Sequence, residues 1–421
     1  MFLNRREFLR TGLGASPLLA CGATVPAFLA RSASALALKQ AKKGNILVVV
    51  QLDGGNDGLN TVVPYRDDDY RKHRPRLNLA GDSRLHKIDD RIAFHPSLTG
   101  FARLLEEQRL ALVQSVGYPN PNRSHFESMT IWQTARLKPD LAVPGWLARR
   151  VDRQRLAAGA DAPALHIGER ASPHALAGGQ RPVPSVASLD QFRRRLGTPE
   201  TAGAQEQRAA LDQIAAQDRG APGSLLQFIE RSTLLTYASS ARVEAALGRG
   251  TKSARYPESV ALAQRLRSIA QLIKAGLTTS IYYTQFDNFD THANQLNTHS
   301  FLLQQVGQSL KAFLDDLKQS GESGRVLVLV FSEFGRRLRE NASAGTDHGT
   351  AAPVFLLGSA VRPGVHGPYP NLQELDASGD PMFAIDFRSV YATILDRWLH
   401  CPSEQVLDEK WPALRLLRDL T

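Results

Sequence analysis

Cysteine is almost missing from this chain: 421 residues contain only Cys21 and Cys401. Cys21 falls in a segment expected to be removed, which leaves Cys401 alone and rules out an intramolecular disulfide. Stability must then come from a core, and the chain is long enough to bury a large one. Past the N-terminal segment no apolar stretch reaches about 18 residues, so no internal membrane span and no stable span after cleavage is expected. The formal charge of +10 is spread along the chain. Without a block of like charges there is no nucleic-acid arm, and the basicity reads as solubility with some pull on anionic ligands. Internal repeats and low-complexity linkers are absent. So are the Gly-x-Ser-x-Gly elbow, the Gly-x-Gly-x-x-Gly fingerprint, the phosphate-binding P-loop and His-Glu-x-x-His.

What is present begins at the N-terminus. Asn4-Arg5-Arg6-Glu7-Phe8-Leu9-Arg10 resembles the twin-arginine export signal. An apolar run from Thr11 to Ala30 follows, then the small-residue pattern Ala33-Ser34-Ala35. A charged start, an apolar middle and a small-residue end make a signal peptide over residues 1–35. The expected partner is the twin-arginine export machinery, and the expected location is periplasmic or secreted. Leu18-Leu19-Ala20-Cys21 approaches a lipobox, so lipidation of Cys21 is the lesser alternative. A membrane anchor is disfavoured by Gly12, Gly14, Gly22 and Pro26.

Residues 36–421 read as one α/β domain. Ile46 to Leu52 is a continuous run of β-formers that breaks into Asp53-Gly54-Gly55-Asn56-Asp57-Gly58. That is the pattern of a buried parallel strand ending in a glycine-rich loop. Further strands are expected at 110–116, 164–167, 183–187, 278–286, 325–331 and 353–357. Helices are expected at 101–107, 124–135, 300–318 and 385–400, with a mainly helical insertion near 190–276. In the 300–318 helix, Phe301, Leu302, Val306, Leu310, Phe313, Leu314 and Leu317 share an apolar face. Alternation of this kind predicts a mostly parallel sheet sandwiched by helices.

Ligands of open parallel sheets bind beyond the carboxyl ends of the strands. Those ends carry Asp53 and Asp57, then Arg123-Ser124-His125, then Asp290-Thr291-His292, then Ser332-Glu333-Phe334-Gly335-Arg336, with Asp347-His348 before the next strand. Carboxylates and imidazoles converging from several strand ends suit a divalent metal such as zinc, manganese or calcium. Each also has a structural reading. Asp53 and Asp57 shape glycine turns. Ser124 with Glu127 fits a capping box, although a helix N-terminus also favours an anion. Asp290 and His292 point to one side if extended, or form a surface pair. Glu333 reads as a ligand or as the partner of Arg336 or Arg337. Asp347 and His348, between glycines, are hard to place in a core.

Taken together, Asp53 to Asn60, Ser124-His125-Phe126, Phe289 to His292, Ser332 to Arg336, Gly345 to Gly349 and Asp386-Phe387-Arg388 resemble the exported family known as domain of unknown function 1501. That family is a distant branch of the alkaline phosphatase and sulfatase superfamily. The resemblance implies an alkaline-phosphatase-like fold with two metal pockets beside a nucleophile. Asp290, His292 and His348 match one pocket, and Asp53 and Glu333 the other, with Ser124 as nucleophile. Phe334 departs from it, standing where a metal-binding histidine is usual, and the Asp290-x-His292 spacing is tighter than the phosphatase pattern. Two functions are expected: a metal-dependent hydrolase of small anionic esters, phosphate or sulfate, with Arg123 holding an oxyanion, or a catalytically degenerate binding or assembly protein on the same fold.

Overall fold

A computed structural model describes residues 44–156, 160–187 and 255–419. The expected signal peptide with Cys21, and the expected insertion up to residue 254, lie outside the described residues. The described end of that insertion is helical.

Among the described residues, nine strands form the main sheet: β1 Ile46–Leu52, β2 Leu110–Gly117, β3 Ala164–Ile167, β4 Ser185–Val186, β5 Ile281–Phe286, β6 Val326–Ser332, β9 Ala352–Leu357, β10 Gly364–His366 and β11 Ile385–Asp386. Between β6 and β9 the chain makes a separate hairpin, β7 Arg336–Glu340 with β8 Thr346–His348. The order in the sheet is β10-β2-β9-β6-β1-β5-β3-β4, with β11 also on β2. Every pairing is parallel except those of β9, which runs antiparallel between β2 and β6. A three-stranded antiparallel sheet of Val62–Val63, His86–Lys87 and Ala93–Phe94 stands apart from it.

The hydrophobic runs explain the layering. All seven residues of β1 are buried. Ile46, Val48, Val50 and Leu52 point into one core, and Leu47 and Val49 into the other. A strand covered on both faces has no need of polar alternation. Helices α1 Thr99–Glu106, α4 Ala261–Lys274 and α5 Gln295–Gln319 cover the first face. Helices α2 His125–Thr134, α3 Trp146–Arg153 and α6 Phe387–Thr393 cover the second. The apolar stripe of α5 faces the core as expected except at Phe301, which is 61% exposed.

Trp132 seats α2 on the sheet. Its ring stacks between Phe331 at the end of β6 and Phe387 of α6, with centroids 5.0 and 4.5 Å away. Losing so large a buried ring costs about 3–5 kcal/mol. This packing holds the first turn of α2 beside the carboxyl ends of β1 and β6, where the polar residues gather.

Candidate metal centre

Five segments meet at that edge. The loop after β1 closes through Gly54 and Gly55, at φ +115° and +69°. A Cβ on Gly54 would strike the backbone nitrogen of Asp290, and one on Gly55 the ring of Phe334. Only glycine allows both the positive φ and the close approach. The loop after β5 brings Asp290 and His292, the end of β6 brings Glu333, the hairpin brings Asp347 and His348, and α2 begins with His125.

Asp290 is the centre of the arrangement. Its Oδ1 lies 3.0 Å from His292 Nε2, 3.2 Å from His348 Nε2 and 3.4 Å from His125 Nε2. The Nε2 atoms of His292 and His348 are 2.9 Å apart. Among the described residues, the donor atoms of His125, Asp290 and His348 all lie within 4.8 Å of one another.

The other nitrogen of each ring decides what the Nε2 atoms can do. His125 Nδ1 lies 2.7 Å from Glu333 Oε1, His292 Nδ1 3.1 Å from Asp347 Oδ1, and His348 Nδ1 2.7 Å from the carbonyl oxygen of Arg123. All three partners are acceptors, so in the neutral rings each Nδ1 carries the proton and donates it. The three Nε2 lone pairs then face one another and a carboxylate. His125 Nε2 is buried with no hydrogen-bond partner among the described residues. Such a set fits a divalent cation: imidazoles fixed in their tautomer by outer hydrogen bonds, plus one carboxylate, are what zinc or manganese takes.

Electrostatics shape the surroundings. Burial raises the pKa of Asp290, but the hydrogen bond and charge of Arg336 outweigh it and hold the carboxyl at about 2. Arg336 is itself buried. Its NH2 reaches Asp290 Oδ1 at 2.6 Å, its Nε the carbonyl oxygen of Gly55 at 2.6 Å and its NH1 that of Thr346 at 2.7 Å. The hydrogen bond that His125 donates to Glu333 raises the pKa of His125, while burial lowers that of His348. Phe334 forms the floor, its ring centroid 4.9 Å from those of both His125 and His348.

The remaining candidates fall in different places. Glu333 pairs with neither Arg336 nor Arg337: its Oε1 accepts from Gly54 N at 2.9 Å as well as from His125, and its Oε2 accepts from Ser332 Oγ at 2.8 Å. Asp53 is driven up to about 7, by burial first and then by the charges of Glu333 and Asp287. It sits beside Glu333 but apart from the histidines. Asp347 lies behind His292 and accepts a second bond from Asn341 at 3.1 Å.

Three expectations are corrected. Asp57 does not reach the cluster. Its Oδ2 takes Arg74 at 2.5 Å in a fully buried ion pair, and its Oδ1 caps the short helix Gly58–Thr61 through Leu59 N and Asn60 N. Removing one partner of such a pair costs about 3–5 kcal/mol, so this carboxylate belongs to the core. Arg123 is likewise engaged, its NH2 2.6 Å from the buried Asp380 and 2.8 Å from Asp376. It contributes its backbone carbonyl to the site rather than its charge. The capping box is also not formed: Ser124 occupies the N-cap of α2 without a side-chain cap bond, and Glu127 accepts from Asn122 Nδ2 at 2.5 Å instead.

His125 is the functional candidate that sequence reasoning passed over. Its position at the start of a helix after a strand end was visible, but the capping reading of Ser124 and Glu127 drew attention to its neighbours.

The model of DUF1501, described as a protein of unknown function, matches residues 45–409. The chain belongs to this family. The DUF1501 chain matches no curated protein in sequence. It is similar to several solved structures. One is the PsFucS1 sulfatase from Pseudoalteromonas sp., at 12% identity and a TM-score of 0.41, over 93% of this chain and 75% of that one. Another is the C-terminal periplasmic domain of EcEptC from Escherichia coli in complex with Zn, at 9% and 0.35, over 76% and 73%. A third is an alkaline phosphatase superfamily protein from Vibrio parahaemolyticus, at 9% and 0.32, over 79% and 64%.

Proposed function

We propose that this DUF1501 protein is an exported, metal-dependent hydrolase of phosphate or sulfate esters. The observation that carries the reading is the set of three Nε2 lone pairs turned on Asp290 by three outer acceptors. Left without a cation, that arrangement repels itself. His125, His292, His348 and Asp290 would hold the metal, with Glu333 and Asp347 behind them. A divalent cation there would polarise the ester oxygens and neutralise developing charge.

The chain's own groups have distinct tasks. Ser124 stands between two clamped neighbours, with the Arg123 carbonyl held by His348 and the His125 ring held by Glu333. Its hydroxyl makes no cap bond. That leaves it available for the nucleophile's role at the positive end of α2, where an anionic ester is favoured. Asp53, with its carboxyl raised to about 7, is suited to hold or release a proton near neutrality. Export rests on the Arg5-Arg6 pair and the run behind it.

Phe334 favours a second reading, a metal-holding or metal-free binding protein that has lost turnover. An apolar ring fills a place where the phosphatase resemblance implies a ligand. The deciding experiment measures metal content of the purified protein and its turnover of aryl phosphate and aryl sulfate esters. Stoichiometric metal with turnover supports the hydrolase. Metal without turnover across the panel moves the function to binding, and no bound metal removes the proposed centre.

A further inference from the structure

We infer that Gln295 is the positioning residue that sets the spacing of the two metal-binding loops. The inference rests on the metal centre proposed above. Gln295 is completely buried at the start of α5. Its Nε2 lies 2.5 Å from Asp57 Oδ2, and its Oε1 lies 3.1 Å from Thr291 Oγ1 and 2.6 Å from Thr346 Oγ1. The amide orientation follows from chemistry: a carboxylate only accepts, so the NH2 must face Asp57, and the oxygen then accepts from two hydroxyls.

Those two threonines have telling positions. Thr291 sits between Asp290 and His292, and Thr346 is next to Asp347 and two residues before His348. One amide oxygen thus ties together both loops, which a backbone bond from Thr346 N to Thr291 O also joins at 3.2 Å. The other end of the amide is fixed to the Asp57–Arg74 ion pair, itself fully buried. The separation of His292 and His348 is therefore referred to the core through Gln295. Every polar atom of this relay is satisfied, so it specifies one geometry.

The test is zinc affinity, read by competition with a chromophoric chelator on the full-length protein. Three variants are compared with the wild type: Gln295→Met, Thr291→Val with Thr346→Val, and Thr291→Ser with Thr346→Ser. Outer-shell changes of this kind weaken metal binding about 10–100-fold, and that loss is expected for Gln295→Met and for the double valine variant. The double serine variant keeps both hydroxyls and should remain within about threefold of wild type on the same grounds. The valine pair is nearly isosteric and guards against failure of Gln295→Met to fold. Wild-type zinc affinity in either deletion variant overturns the role of Gln295, as does equal loss in the serine variant. A wild type that binds no zinc overturns the metal centre and this role with it, and needs no variant to be seen.

Discussion

His348 donates from Nδ1 to the carbonyl oxygen of Arg123, 2.7 Å away, across 225 residues of sequence. This single bond joins the β7–β8 hairpin to the loop before α2, and so brings an imidazole of one segment against the backbone just before Ser124. It also fixes which nitrogen of His348 is free to face Asp290.

Replacing His348 with alanine should abolish tight metal binding and free the loop before α2. The expected outcome is loss of stoichiometric zinc and loss of metal-induced thermal stabilisation, while the metal-free fold persists. Full metal content in His348→Ala would rule out the proposed ligand set.

Ser124 separates a cap from a nucleophile. A working serine cap is worth about 0.5–2 kcal/mol, but Ser124 makes no cap bond. Ser124→Ala should therefore melt within about 0.5 kcal/mol of wild type while ester turnover disappears. Ser124→Asp should supply a cap and remain inactive. Turnover that survives in Ser124→Ala removes the nucleophile role.

Arg123 should matter to stability rather than to substrate. Asp380 is fully buried and takes both Arg123 and, at 3.2 Å, Arg337. Arg123→Ala leaves that carboxylate half-compensated, a loss of about 1–3 kcal/mol. KM for an anionic ester should change little. A large rise in KM with unchanged stability would restore the arginine to the active site.

Acid should weaken the fold before the carboxylates titrate. Burial lowers His299 to about 3 and both His95 and His166 to about 4, from 6.5. These rings bind protons more readily unfolded, so their contribution is complete above pH 6.5 and is lost as pH falls toward 3–4. Asp53, raised to about 7, opposes them by about one proton over the same range. Between pH 6 and 5 the net fall is about 2–3 kcal/mol per pH unit. Urea midpoints that stay level from pH 7 to pH 5 would contradict this.

If residues 1–35 act as the proposed export signal, export should depend on both Arg5 and Arg6. Arg5→Lys with Arg6→Lys is expected to leave the protein in the cytoplasm, as read by fractionation. Normal export of the double variant would dismiss the twin-arginine route.

The strands were legible because burial on both faces leaves an unbroken apolar run. β1 coincides with the expected 46–52, and β2 and β6 lie within a residue of expectation. The long helix extends further, starting at Gln295 rather than 300, because its first turn is anchored by one buried polar residue, Gln295 on Asp57, and is otherwise exposed, so no apolar stripe marks it. The closing helix 385–400 breaks into α6 and a π-helical turn at Ile394–Trp398.

By itself the sequence determined where chemistry could sit. Local patterns mark strand ends, and acids and histidines after them are visible as residue types, so Asp290, His292, Glu333 and His348 could be named. Only the tertiary structure decided which of them meet. Asp53 and Asp57 stand four residues apart in one glycine loop, yet one lies beside Glu333 and the other is sealed against Arg74. Arg123 was read as a free charge because its partners, Asp376 and Asp380, come from more than 250 residues away. His125 drew no role until Glu333 took its Nδ1 and aimed its Nε2 at Asp290. Spacing along a chain reports local geometry, whereas ion pairs and imidazole tautomers depend on partners delivered from distant segments by the packing of the core.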